Sequence, residues 1–544
     1  MITAAAHAQL ISGPADVGRI QPEKKLLTPD PGKDREVSLP KPPPATPIPD
    51  TAQSIHFILS AVHIEGATAF TQSQLSDIYA PSINKEITLT AAYAMAGQIT
   101  ERYRNAGYFL SLAYIPNQSI EGGAVTIRVV EGYIAEIALP KDIAGHEVIK
   151  QYISRLIAQK PVKSDAVERF LLQMNDVPGY AFRSVLSQVA SGEEGAEKLT
   201  LQATKKDDTG HIRFDNFSSR YLGPNEITTS YSAGLLPLQQ TTISGLTSLP
   251  MDKLRYGALG HTVVIAPDIT LEFNGNVTKA YPGYTLGYLD IDSKATALSL
   301  GIDYQWIRQR QENLVVNVAL GSRDVVSDFL HIPLTRDHIR SLQAGMTYDT
   351  SDRWHGYNVA NAAISRGIAG LGASQKGELN ISRADAAPDF TKTELSLSRL
   401  QALTQDWSLL ASAHGQLASG VLYSSEQFGY GGQDFGRAYD ASDITGDHGI
   451  AGALELRYGG WGTLQPISLQ PHIFYDVGTV WNEGIGAPKR ASGASAGFGV
   501  NFTTDWRQTG SIGLAWPLTR DIAAPIYGKA QRAPRILLQI SQEF

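Results

Sequence analysis

Cysteine is absent from all 544 residues, which excludes disulfide frameworks, thiolate zinc sites and cysteine nucleophiles together and fits an exported chain. No stretch approaches the roughly 18 to 20 uninterrupted apolar residues of a membrane-spanning helix, so a polytopic helical membrane protein is excluded. A barrel is not, because its strands alternate. With 46 Lys and Arg against 53 Asp and Glu, the net charge of −7 gives no global attraction to nucleic acid. Enzyme signatures are missing as well. There is no His-Glu-x-x-His and no Gly-x-Ser-x-Gly, and neither Gly32-Lys33 nor Gly528-Lys529 is followed by the Ser or Thr of a phosphate-binding loop. The 12 histidines show no paired ligand spacing, and Asp440, Asp443 and Asp447 lack the EF-hand pattern and read as a solvated turn. No cofactor, metal or catalytic residue is expected.

What is present changes character along the chain. Residues 1–9 end near Ala6-His7-Ala8, a small-x-small pattern that reads as a signal-peptide remnant. Residues 10–53 carry ten of the 28 prolines between Gly13 and Asp50, which favours an extended tether, with a short helix around Asp16 to Leu27. Residues 54–133 show α+β alternation: a strand over His56 to Ile64, helical spacing of Leu89, Tyr93, Ala96, Ile99 and Tyr103, then strands over Tyr108 to Ile115 and Ala124 to Val130. Residues 134–207 repeat that order, with strand Ile134 to Leu139, a helix over His146 to Gln159, a second helix capped by Ser164, and closing strands Arg183 to Gln188 and Leu199 to Thr204.

From residue 208 to 544 helical periodicity disappears and period-two segments take over. Leu298, Leu300, Ile302, Tyr304 and Trp306 alternate with Ser299, Gly301, Asp303 and Gln305, and Ile512, Leu514, Trp516 and Leu518 repeat the design. A soluble sandwich would place Lys and Glu on its polar face, whereas here that face is Gly, Ser, Asn, Asp and Gln. Such strands suit a barrel with lipid outside and water inside, and in lipid the sheet has to close. In the final segment ILLQISQEF, Ile536, Leu538, Ile540 and Phe544 share one face, as in the closing strand of an outer-membrane barrel and its assembly signal; an ordinary terminal strand is the alternative.

Several of these segments resemble the TpsB transporters of two-partner secretion, within the BamA-like superfamily. GYFLSLAYIPNQSIEGGAVTIRVVEGYI is similar to a TpsB-type POTRA domain, and LLQMNDVPGYAFRSVL to its partner. FDNFSSRYLGPNE is similar to the start of the family's barrel. Phe435-Gly436-Arg437-Ala438-Tyr439 occupies the place of the Val-Arg-Gly-Tyr/Phe motif at the tip of inward loop six, with Ala438 where the family has glycine. Phe474-Tyr475-Asp476-Val477-Gly478 matches Phe-x-Asp-x-Gly on a later strand. The resemblance implies two periplasmic POTRA domains, a transmembrane antiparallel barrel of sixteen strands, and residence in a Gram-negative outer membrane. It also implies a secreted, unfolded, β-helix-forming TpsA-like partner, the barrel-assembly machinery and outer-membrane lipid as further partners, and an N-terminal helix that can plug the pore.

Alternation along LQPHIFYDVG puts Ile473, Tyr475 and Val477 on one face and His472, Phe474, Asp476 and Gly478 on the other. Asp476 then points into the lumen, where Arg437 can meet it in a bidentate pair, and Glu455 and Arg457 are secondary lumen candidates. The pair reads either as a static strut or as a releasable gate. In the first POTRA module Tyr108, Leu110, Leu112 and Tyr114 are candidates for a substrate-binding strand edge, or for a buried strand. The rival functions are a BamA- or TamA-like assembly factor, disfavoured because those chains carry five and three POTRA modules where two fit here, and a passive porin, which leaves both modules and Arg437 without purpose.

Overall fold

In a computed structural model of the chain, residues 13–20, 29, 39, 47–460, 463–464, 466–484, 488–520 and 532–544 are described. The residues expected to be a signal-peptide remnant and most of those expected to form the N-terminal helix lie outside them. Within Gly13 to Ile20 the backbone makes two short 3-10 turns, Gly13–Ala15 and Val17–Arg19, the second capped by the Asp16 carboxylate accepting from the Gly18 amide at 2.8 Å. Two units divide the chain, one centred on residues 35–206 and one on the barrel.

In the first α+β module the sheet runs Ala61–Glu65, Ala124–Val130, Leu112–Tyr114, so Leu112–Tyr114 is an edge. The helices Gln72–Tyr79 and Leu89–Asn105 begin on hydroxyl caps, Thr71 in a capping box with Gln74 and Thr88 accepting from Ala91. Leu59, Leu75, Ile99, Tyr103 and Ile127 are buried between helices and sheet. The single strand expected over His56 to Ile64 is two: His56–Ile58 pairs with Glu86–Thr88, and Ala61–Glu65 joins the main sheet. The break follows from Leu59 turning inward while its amide bonds Lys85 and that of Ser60 bonds Gly123.

Glu131 ties this module together. Its carboxylate accepts from the Thr68 and Ala69 amides at 2.6 and 2.7 Å, from the Thr68 hydroxyl, and from Tyr103 at 2.7 Å. Burial pushes its pKa up, but these donors outweigh burial and hold it below its ordinary 4.5, while burial and the Glu131 charge push the Tyr103 hydroxyl up. A carboxyl held low contributes stability above its unfolded pKa and loses it as pH falls through the folded value. Protection of the Thr68 and Ala69 amides, their exchange relative to the intrinsic rate at each pH, is therefore expected to hold above about pH 5 and to fall below the ordinary carboxylate range. Glu131→Gln should remove that dependence; a flat profile in the unaltered chain contradicts the assignment.

The second module places Ala196–Lys205 between Tyr133–Ala138 and Tyr180–Gln188, leaving the latter as a nine-residue edge. Its main helices are Glu147–Ile157 and Ser164–Asp176. Ser164 is not the cap expected of it. The cap residue is Lys163, and Ser164 opens the helix with its amide already bonded to the Gly107 carbonyl at 2.8 Å.

Sixteen long strands form a closed antiparallel barrel: Thr209–Asp215, Glu226–Ala233, Gln239–Ser248, Leu254–Ala266, Ile269–Ala280, Ile291–Arg308, Glu312–Phe329, Ile332–Ser351, Gly356–Gly367, Thr391–Ala402, Trp407–Ala418, His448–Tyr458, Ile467–Trp481, Arg490–Thr504, Gln508–Pro517 and Arg535–Glu543. A two-residue strand, Thr463–Leu464, lies in the turn between the twelfth and thirteenth. Closure comes from the sixteenth strand pairing with the first, Gln539 opposite Asp215 through Glu543 opposite His211, which removes the edge that lipid would not tolerate. Leu298, Leu300, Ile302, Tyr304 and Trp306 all project outward and are 45 to 62% exposed on the protein alone, as a lipid-facing surface requires. Ile536, Ile540 and Phe544 are exposed beside the seam and Leu538 half-buried. The Phe544 backbone exchanges two hydrogen bonds with Gly210, where a side chain would strike the Phe544 ring at 2.2 Å.

Candidate functional site

Loop six, residues 419–447, joins strands eleven and twelve and folds inward as a hairpin whose arms Phe428–Tyr430 and Ile444–Gly446 pair antiparallel. Phe428, Tyr430, Phe435, Tyr439 and Ile444 pack on Phe474 and Val480 of strand thirteen and on Phe217 and Leu537, so the bore is not uniformly wet: an apolar core fills one side of it. Room for that core is made by glycines. A Cβ added at Gly478 would sit 2.3 Å from the Tyr430 ring, at Gly493 2.8 Å and at Gly436 2.7 Å. The last also adopts φ +76°, so the tip's left-handed residue precedes Arg437, while Ala438, which stands in the family's glycine position, is buried with an ordinary backbone.

At the tip the Arg437 amide and Nε donate to Asp476 Oδ2 at 3.0 and 3.1 Å, Nη2 donates to Oδ1 at 2.8 Å, and Nη1 donates to Glu455 Oε2 at 2.5 Å. The guanidinium lies 3.5 Å from the centroid of the Phe474 ring. Asp476 is fully buried and also accepts from the Ser495 hydroxyl at 3.1 Å. Glu455 accepts in turn from Arg457 at 2.8 Å. Two carboxylates and two guanidinium groups thus balance, which is what lets a charged loop tip sit inside a wall. Tyr439 donates to the Ala494 and Arg520 carbonyls at 2.9 and 3.3 Å. A cavity of about 190 Å³ beside this cluster is lined by Gln433, Arg437, Glu455, Arg457, His472 and Asn501 among others.

The acidic turn expected to be solvated is instead buried and paired. Asp440, 2% exposed, bonds Arg220 and faces Arg535 at 3.7 Å; Asp447, fully buried, is gripped by Arg383 and by the Leu422 and Glu483 amides, each at 2.9 Å. Each carboxylate is compensated by an arginine distant in sequence, which no local spacing reveals. Arg535, on the closing strand, also donates to the carbonyls of Tyr439, Asn216 and Ser218 at 2.5 to 3.0 Å, joining the loop-six tip to the seam. From the N-terminal segment Arg19 donates to the Ser442 hydroxyl at 3.1 Å and the Ser424 carbonyl at 2.9 Å, and Val17 is buried among Leu222, Leu246, Tyr256 and Val325. Tyr430, Gly493, Arg220, Arg383, Arg535 and Arg19 were not singled out by the sequence.

The four POTRA candidates do not share one strand. Tyr108 and Leu110 belong to the turn after helix Leu89–Asn105, because Gly107 at φ +92° redirects the chain, and Leu110 is buried against Gly132. Only Leu112 and Tyr114 are on the edge, with Tyr114 held by Glu194 at 2.7 Å.

Residues 57–132 match the model of the ShlB-type POTRA domain, and residues 269–500 match that of the haemolysin secretion/activation protein ShlB/FhaC/HecB. This chain belongs to the TpsB transporters. The heme/hemopexin transporter protein HuxB of Haemophilus influenzae is 24% identical over 454 residues, covering 78% of this chain and 76% of its own length. The outer membrane transporter CdiB of Escherichia coli O6:K15:H31 is 23% identical over 556 residues, covering 92% and 90%. Among solved structures, CdiB from Escherichia coli superposes with a TM-score of 0.71 at 20% identity over 92% of this chain and 94% of that one. BamA from Haemophilus ducreyi lacking POTRA domains 1–3 gives 0.53 at 12% identity over 90% and 100%. As a TpsB transporter the protein resides in the outer membrane, and the family's function is translocation of a partner exoprotein.

Proposed function

We propose that this transporter takes one unfolded partner polypeptide from the periplasm through its POTRA domains and passes it through the barrel, without catalysis and with folding outside supplying direction. The observation that carries this reading is loop six, seated in the lumen by a buried but charge-balanced tip around Arg437. Such contacts are specific when made and are exchangeable for polar contacts with a passing chain. A passive porin has no use for it. Capture by main-chain addition is assigned to Tyr180–Gln188, whose nine residues offer a longer edge than the three of Leu112–Tyr114.

Deleting the gene is expected to abolish appearance of one large exoprotein in the medium while other outer-membrane barrels keep their levels, and co-expression of the two should restore export. Val185→Cys on the second-module edge should then crosslink to the exported chain, unambiguously because no other cysteine exists. General loss of outer-membrane proteins on deletion would favour the assembly-factor alternative. Crosslinking from Tyr114→Cys but not from Val185→Cys would return capture to the first module.

A further inference from the structure

Strands four, five and six carry Arg255, Lys279 and Lys294 directly opposite one another, Arg255 paired with Lys279 and Lys279 with Lys294. Their neighbours Leu254, Tyr256, Thr278, Ala280, Ser293 and Ala295 are all buried on the lumen side, so the three cations share the outer face. Like charges directly opposite across strands repel and destabilise a sheet. The carboxylate of Asp292, 3.5 Å from Lys279, and the Met251 carbonyl, which accepts from Arg255 at 3.2 and 3.3 Å, answer only part of that charge.

The row also lies at a particular height. Beneath it on the same outer face run Leu259, then Val277 and Phe273, then Leu298 down to Trp306, all large, apolar and exposed. Lys294 is twelve residues from Trp306, roughly 40 Å along the strand and about 30 Å in height at a tilt near 40°, so it stands just beyond the apolar band of about 25 Å. The end concerned is opposite to the one where the chain enters strand one, and it is therefore the extracellular end. A cationic row capping an apolar lipid face suits an amphiphile whose anionic head meets the row and whose tails lie along the strands.

We propose that Arg255, Lys279 and Lys294 bind the phosphate groups of a phosphorylated glycolipid of the outer leaflet. The acyl chains lie over Leu259, Phe273, Val277 and Leu298, and the bound phosphates relieve the repulsion within the row. The site holds the transporter's annular lipid on the side of strands four to six, away from the seam of strands one and sixteen.

The test uses the full-length protein in non-ionic detergent and its triple variant Arg255→Gln, Lys279→Gln, Lys294→Gln, with lipid retention read by native mass spectrometry. The probes are diphosphoryl lipid A, the same lipid dephosphorylated, and inorganic phosphate. The unaltered protein is expected to retain diphosphoryl lipid A at least tenfold more than the variant does, to retain the dephosphorylated lipid no better than the variant, and to keep its lipid against millimolar inorganic phosphate. Equal retention by both proteins overturns the proposal. So does equal retention of the two lipids by the unaltered protein, a comparison that needs no variant to fold. Displacement by inorganic phosphate would show a free-anion site and likewise overturn it.

Discussion

Arg437→Ala is expected to release the loop-six tip and cut secretion of the partner more than tenfold while the barrel still inserts. Removing the guanidinium leaves Asp476 and Glu455 facing the lumen core without their shared cation, and breaking a buried pair from one side costs about 3 to 5 kcal/mol. That shifts the ratio of seated to released tip by on the order of a hundredfold or more, so single-channel conductance should become larger and noisier. Arg437→Lys keeps the charge but cannot reach both carboxylates with a planar fork, and should fall between the two. Unchanged export with unchanged conductance would remove the tip from the mechanism.

Gly478→Val tests the same seat without touching charge. The first carbon of the new side chain would come within 2.3 Å of the Tyr430 ring, in a wall that cannot yield because Gly478 is paired with Ala451 on one side and Gly493 on the other. Overpacking of this kind usually costs about 1 to 3 kcal/mol, here spent on expelling Tyr430 and with it the hairpin stem. The expected phenotype matches Arg437→Ala in conductance and export. A variant that secretes normally would mean that the stem's aromatic packing is incidental.

Alternation made the barrel legible. Ile473, Tyr475 and Val477 are exposed while Phe474 and Asp476 are buried, as period-two reading of LQPHIFYDVG requires, and Leu298 to Trp306 face outward for the same reason. Arg437 was found through its motif and not through local physics, since nothing near residue 437 announces a partner 39 positions later. The contacts that seat the rest of loop six were illegible for the same cause carried further: Arg220 with Asp440, Arg383 with Asp447 and Arg535 with Asn216 join residues 64 to 319 apart. The acidic turn looked solvated because a carboxylate's burial depends on those distant arginines. In the POTRA modules short strands defeated periodicity. Three residues at Leu112–Tyr114 are too few to distinguish from the turn before them, and Leu59 breaks what reads as one strand.

The most direct test of passage through the bore exploits the missing cysteines. Asn501 lines the lumen cavity beside Arg437, so Asn501→Cys offers a single thiol on the proposed path. With that thiol unmodified, the partner should reach the medium at the normal rate; after attachment of a bulky thiol reagent, export should stop while the POTRA domains still bind the partner. Undiminished export through a barrel blocked at residue 501 would contradict translocation through the lumen.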